Sequence, residues 1–155
     1  MKNTLLFLIP VLYLIACNNT ANKTVNKLIN TEVQDTVWKE FTTKDSIPPI
    51  LKEKLNQYFK GLPVADFGQK FNATDMMVNS LPGMQIQYLA RKGNEWRMTY
   101  LQGGFAKYYI LIEAILNKNS VIIFRAARSN FVLKEGDLID AAIKSGNLQF
   151  DTLAQ

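Results

Sequence analysis

The spacing of apolar residues divides the chain into stretches of different rhythm. Leu5 to Ala16 is an unbroken apolar run interrupted only by Pro10. Asn18 to Asn30 is polar and rich in Asn, Thr and Lys, so it has little to bury and reads as a tether, with Val25, Leu28 and Ile29 enough for one weak helical turn. Thr36-Val37-Trp38-Lys39-Glu40-Phe41 is more apolar and fits either a first strand or a strap across the domain. Ile50, Leu51, Leu55, Tyr58 and Phe59 then recur at helical spacing, with Lys52, Glu53, Asn56 and Lys60 on the other side. Ser46 is a plausible cap, Pro48 and Pro49 suit a first turn, Gly61 ends the helix and Pro63 forbids its continuation. Phe67, Phe71, Met76, Met77 and Val78 suggest a second packed segment, with a short helix as one reading.

From Met84 the period becomes two. Met84 to Arg91 alternates, Lys92-Gly93-Asn94 turns, and Glu95 to Leu101 alternates again. This places Trp96, Met98 and Tyr100 on one face and Glu95, Arg97 and Thr99 on the other. After Gln102-Gly103-Gly104, the run Phe105 to Leu116 sets Tyr108, Ile110, Ile112 and Ala114 on one side. Asn117 to Ser120 turns the chain into Val121 to Arg128. Four β-rich runs joined by short Gly/Asn turns predict an antiparallel meander. Gly136-Asp137 opens a short helix with Leu138, Ile139, Ala142 and Ile143 as its apolar face, and Gly146 closes it. The expectation is an α+β fold: an N-terminal helix or helices packed on a four-stranded antiparallel meander, with a short C-terminal helix. The order of elements resembles cystatin-like and nuclear-transport-factor-like folds, though no motif ties the chain to either.

The N-terminal run is a targeting pattern. Lys2 supplies the positive start, Leu5 to Ile15 the apolar centre, and Ala16 the small residue before Cys17, the only cysteine. The centre is shorter than the roughly 17–25 residues a spanning helix needs. Leu14-Ile15-Ala16-Cys17 resembles the lipobox of bacterial lipoproteins. The resemblance implies a thioether-linked diacylglycerol on Cys17, cleavage before it and acylation of the new amine. Each buried methylene contributes roughly 0.8 kcal/mol, so several chains hold firmly to a bilayer. Without lipidation the same run would be an ordinary secretory leader or an uncleaved anchor. The domain boundaries that follow are residues 1–16 as signal peptide, 17–35 as lipid-anchored tether and 36–155 as one α+β domain.

Composition narrows the chemistry. The 155 residues suit one domain, long enough for a core without disulfides, and a single cysteine forbids any disulfide within it. There is no histidine, which removes the commonest general base and metal ligand and with them His-dependent triads and most zinc sites. The formal charge of +5 is scattered rather than clustered, so no nucleic-acid footprint is present. No cofactor and no metal ion are expected.

Three constellations stand out. Glu113 sits inside an apolar run and, across the turn at Lys118-Asn119-Ser120, would face Arg125; this is either a cross-strand salt bridge on the solvent face of the sheet or a polar contact in a ligand pocket. Tyr88, Trp96, Tyr100, Tyr108 and Tyr109, near Arg91 and Arg97, are a set that lines glycan- or protein-binding surfaces; the alternative is that Trp96, Met98, Tyr100 and Tyr108 face the core. Gly103-Gly104 fits a hairpin turn better than an anion cradle. In addition, Asp35-Thr36-Val37, Asp45-Ser46-Ile47 and Asp151-Thr152-Leu153 each resemble the Asp-Ser/Thr-apolar acceptor of the periplasmic O-glycosylation system of Bacteroidota, marking Thr36, Ser46 and Thr152. The absence of acids directly after Cys17 favours an outer-membrane anchor facing the periplasm.

The functional expectation is a small lipid-anchored envelope protein with a non-enzymatic binding or structural role. Its partners would be the membrane, through lipid at Cys17, and an envelope protein or glycan touching Trp96, Arg97, Tyr100, Tyr109, Glu113 or Arg125. The alternatives are an inhibitor or immunity-type lipoprotein that blocks an enzyme or toxin, and an enzyme working through carboxylates or lysine without histidine.

Overall fold

In the computed structural model, residues 36–75 and 80–152 are described. Cys17, its leader and tether, the Met76-Met77-Val78 part of the second packed segment, and Leu153 lie outside the described residues. The strands are β1 (Lys39–Glu40), β2 (Val64–Ala65), β3 (Met84–Lys92), β4 (Glu95–Gln102), β5 (Tyr108–Leu116), β6 (Val121–Ser129) and β7 (Phe150–Thr152); the helices are α1 (Pro49–Tyr58) and α2 (Gly136–Lys144), with a 3-10 turn at Lys44–Ser46. The fold is α+β, built on one mostly antiparallel sheet.

The sheet is larger than the four strands expected. Seven strands join it in the order β1-β3-β4-β5-β6-β7, and β2 pairs in parallel with the start of β3. The three additional strands have only two or three residues each, too short to leave a periodic signature. They cap the two edges of the sheet, where unpaired backbone would otherwise stand open.

Both faces of the sheet are covered. On one, Leu51 and Leu55 of α1 and Phe59 just after it pack on Met84, Ile86, Leu89, Trp96, Met98, Tyr100, Ile110, Ile112, Phe124 and Ala126. On the other, Leu133, Ile139 of α2 and Leu148 pack on Tyr88, Ala90, Tyr109, Leu111 and Ala127. One helix, between β1 and β2 in the chain, therefore covers one face, while the C-terminal helix covers part of the face expected to meet solvent. Thr99 shows the result: it is fully buried there, and its hydroxyl donates to the Leu133 carbonyl at 2.6 Å.

Two local expectations need correction. Strict alternation along β3 would keep Tyr88 with Met84 and Ile86. A bulge between Ile86 and Tyr88 inserts an extra residue, so Tyr88 and Ala90 turn to the α2 face and Leu89 to the α1 face. Ser46 does not cap α1 either. The N-cap is Pro48, with Pro49 at the first helical position, and Ser46 belongs to the preceding 3-10 turn, whose cap is Thr43. The Thr43 hydroxyl and the Lys44 backbone N–H both donate to Asp66, fixing this turn to the segment after β2.

Candidate functional site

Alternation and register together build a charged row across the α2 face. Arg97 on β4 pairs with Glu113 on β5, and Glu113 pairs with Arg125 on β6. The expected Glu113–Arg125 pairing is present, though by a different route: the connecting turn closes on Leu116–Val121, and a register shift between Ile115 and Leu116 brings Glu113 opposite Arg125. Asn117 organises that turn, its side-chain oxygen accepting from the N–H groups of Asn119 and Ser120 and the Ser120 hydroxyl. Each oxygen of the Glu113 carboxylate serves a different guanidinium. Oε1 accepts from Arg97 Nε at 2.9 Å and lies 2.9 Å from Arg97 Nη2. Oε2 accepts from Arg125 Nε at 2.9 Å and from Arg125 Nη2.

The row is tied to α2 and bracketed by aromatic rings. Arg97 Nη1 donates to Asp140 at 2.6 Å. The Arg97 guanidinium lies 4.4 Å from the Trp38 ring centre, and that of Arg125 lies 4.2 Å from Phe150. Burial is graded: the Arg97 and Glu113 side chains are 9 % and 13 % exposed, that of Arg125 43 % and that of Asp140 59 %. Nearby, the Tyr88 phenol is pushed up to about 12, first by burial and then by the Glu40 carboxylate that accepts its hydrogen bond.

Beside the row, a cleft of about 260 Å³ is lined by Trp38, Glu95, Trp96, Arg97, Glu113, Ala114, Ile115, Ile123 and Arg125. It combines guanidinium edges, an indole and half-exposed isoleucine, a mixture suited to a polar partner that stacks as well as hydrogen-bonds. A second groove of about 270 Å³ lies between the 3-10 turn, α1 and β2, with Leu55, Phe59, Leu62 and Tyr100 below Lys44 and Lys52. Among the described residues, no group of three or more His, Cys, Asp or Glu converges as a metal site would, and no helix is long and apolar enough to cross a membrane.

The sequence candidates divide sharply. Arg97, Glu113 and Arg125 form one network at the cleft. Trp96 and Tyr100 are buried in the α1 core and Tyr109 in the α2 core; all three pack, and of them Trp96 also lines the cleft and Tyr100 the second groove. Tyr100 donates to the Met98 sulfur at 3.1 Å, and burial raises its phenol from the ordinary value. Thr36 is exposed just before β1, Ser46 is half-buried, and Thr152 lies in β7 opposite Arg125. Cys17 lies outside the described residues. Asp140 and Phe150 were not legible as site residues, since neither has a periodic or motif signal and each arrives from an element distant in sequence. Trp38 carried a faint signal as part of the apolar strap. Comparison of the chain with protein-family models, with curated proteins and with solved structures finds no match.

Proposed function

We propose that this chain is a small lipid-anchored protein of a bacterial envelope whose role is binding rather than catalysis. The observation that carries the reading is the ordered run of Lys2, the apolar centre, Ala16 and the sole cysteine Cys17. Anchoring confines the domain to a membrane surface and raises its effective concentration for a partner there. The outer membrane facing the periplasm is the proposed location, and Thr36, Ser46 and Thr152 are proposed glycan acceptors of the Bacteroidota type.

The proposed contact surface is the cleft beside the Arg97–Glu113–Arg125 row. Trp38, Ile123 and the outer part of Arg125 supply ring, apolar edge and hydrogen-bond donors for an envelope protein or glycan. Both Glu113 oxygens are already occupied by guanidinium donors, which supports a structural carboxylate over one placed to shuttle protons.

Fractionation and intact mass test the anchor. The wild-type chain should sediment with membranes and carry the mass of diacylglycerol and acyl groups on Cys17. Cys17→Ser should lose that mass and leave the mature, cleaved form undetected. An unlipidated cysteine in the mature wild-type protein, or a leader still joined to the domain, would refute the reading.

A further inference from the structure

One end of the sheet carries large apolar side chains that the fold leaves in water. Phe105, at the tip of the hairpin between β4 and β5, is 97 % exposed. Phe131 is 60 % exposed and Val132 is exposed beside it, both in the segment that leaves β6. Register places these segments at one pole: Gln102 pairs with Tyr108 just before the hairpin tip, and Tyr109 pairs with Ser129, two residues before Phe131. The hairpin is braced rather than free. Its Gly103 N–H donates to Gly83, and the Asn72 carbonyl lies so close that a Cβ on Gly103 would meet it at 2.1 Å.

The charges around this pole are mainly positive. Lys107 follows Phe105 by two residues, Arg128 precedes Phe131 by three, and Lys70 lies two residues before Asn72. Against them stand Asp75, the acid within the described segments 68–75, 102–107 and 128–132, and Asp151, which lines one groove with Arg128. Exposed phenylalanine on a braced tip with a basic collar matches the interface of an anionic bilayer, where rings enter the acyl boundary and cations meet headgroup phosphates.

We propose that the Phe105–Phe131 pole is a membrane-docking tip that inserts into an anionic lipid surface. The proposal stands on these side chains and does not rest on lipid at Cys17. It is compatible with such an anchor. Lys39 pairs with Arg91, so the chain enters the sheet at the pole opposite the tip.

The test uses the full chain carrying Phe105→Trp, a substitution at a solvent-facing position. Its fluorescence is read on vesicles of phosphatidylcholine with and without phosphatidylglycerol, using brominated acyl chains as quencher. Subtracting the unsubstituted chain removes the contributions of Trp38 and Trp96. The introduced indole should shift to the blue and be quenched on the mixed vesicles, and Lys107→Glu or high salt should abolish both effects. An indole that keeps its aqueous emission on mixed vesicles overturns the proposal. So does a blue shift that arises without lipid and grows with protein concentration, which would mark a second copy as the occupant. Vesicle flotation of the same samples reads the anchor separately: a chain that floats while its introduced indole stays in water loses the tip and keeps the anchor.

Discussion

Arg97 offers the sharpest test of how the charged row holds α2 to the sheet. Arg97→Met keeps most of the stem beneath Trp38 and removes the guanidinium. Glu113 Oε1 then loses both donors in a site only 13 % exposed, while Oε2 keeps Arg125. Breaking one partner from a buried pair costs about 3–5 kcal/mol; with Arg125 retained, a loss of about 2–3 kcal/mol is expected. Asp140 is more than half exposed and rehydrates when released, so Asp140→Asn should cost less than about 1 kcal/mol. Arg97→Met with Glu113→Leu removes the orphaned charge together with its partner, and the double variant should be more stable than the sum of the two single losses predicts. Urea unfolding, with midpoints compared at unchanged m-value, measures the wild-type protein and the four variants, Glu113→Leu alone included. If Arg97→Met costs no more than Asp140→Asn, or if the double variant is additive, the row does not carry the coupling assigned to it.

Three further outcomes follow from particular contacts. Gly103→Ala should force the 72–73 backbone away from the hairpin and lower the melting temperature, with faster hydrogen exchange at residues 72–74; an unchanged melt would show that this approach is not tight. Thr99→Val keeps the shape and strands the buried Leu133 carbonyl, so it should destabilise by about 1–3 kcal/mol in denaturant titration, and a neutral result would contradict the hydrogen bond. Tyr58, Tyr88, Tyr100 and Tyr109 all have phenols raised above the unfolded value of 10.0, burial being the leading cause. Groups raised on folding stabilise fully below their unfolded value and lose that contribution as pH climbs through the folded one, so stability should fall from about pH 10 towards 12. Phenolate absorbance that rises before the fold is lost, for all four tyrosines, would refute this.

The sequence determined a good deal by itself. Periodicity located the long strands, because a side chain every second residue must choose between two sides of a sheet, and it placed Trp96, Met98 and Tyr100 together. A three-residue loop predicts the facing of Glu113 and Arg125, but the strands close on Leu116–Val121 and a register shift beside that pair sets the final pairing. The breakers Pro49 and Gly146 marked helix ends because proline lacks an N–H and Gly146 takes φ +72°. Tertiary structure decided the rest. The bulge that rephases β3 depends on matching β4, which Met84 to Lys92 cannot reveal in isolation. The edge strands β1, β2 and β7 exist only because a neighbour offers unpaired backbone. Whether Arg97 and Thr99 meet water depended on where residues 131–149 came to lie, and that was settled by the need of Leu133, Ile139 and Leu148 to leave water on the one sheet surface still uncovered.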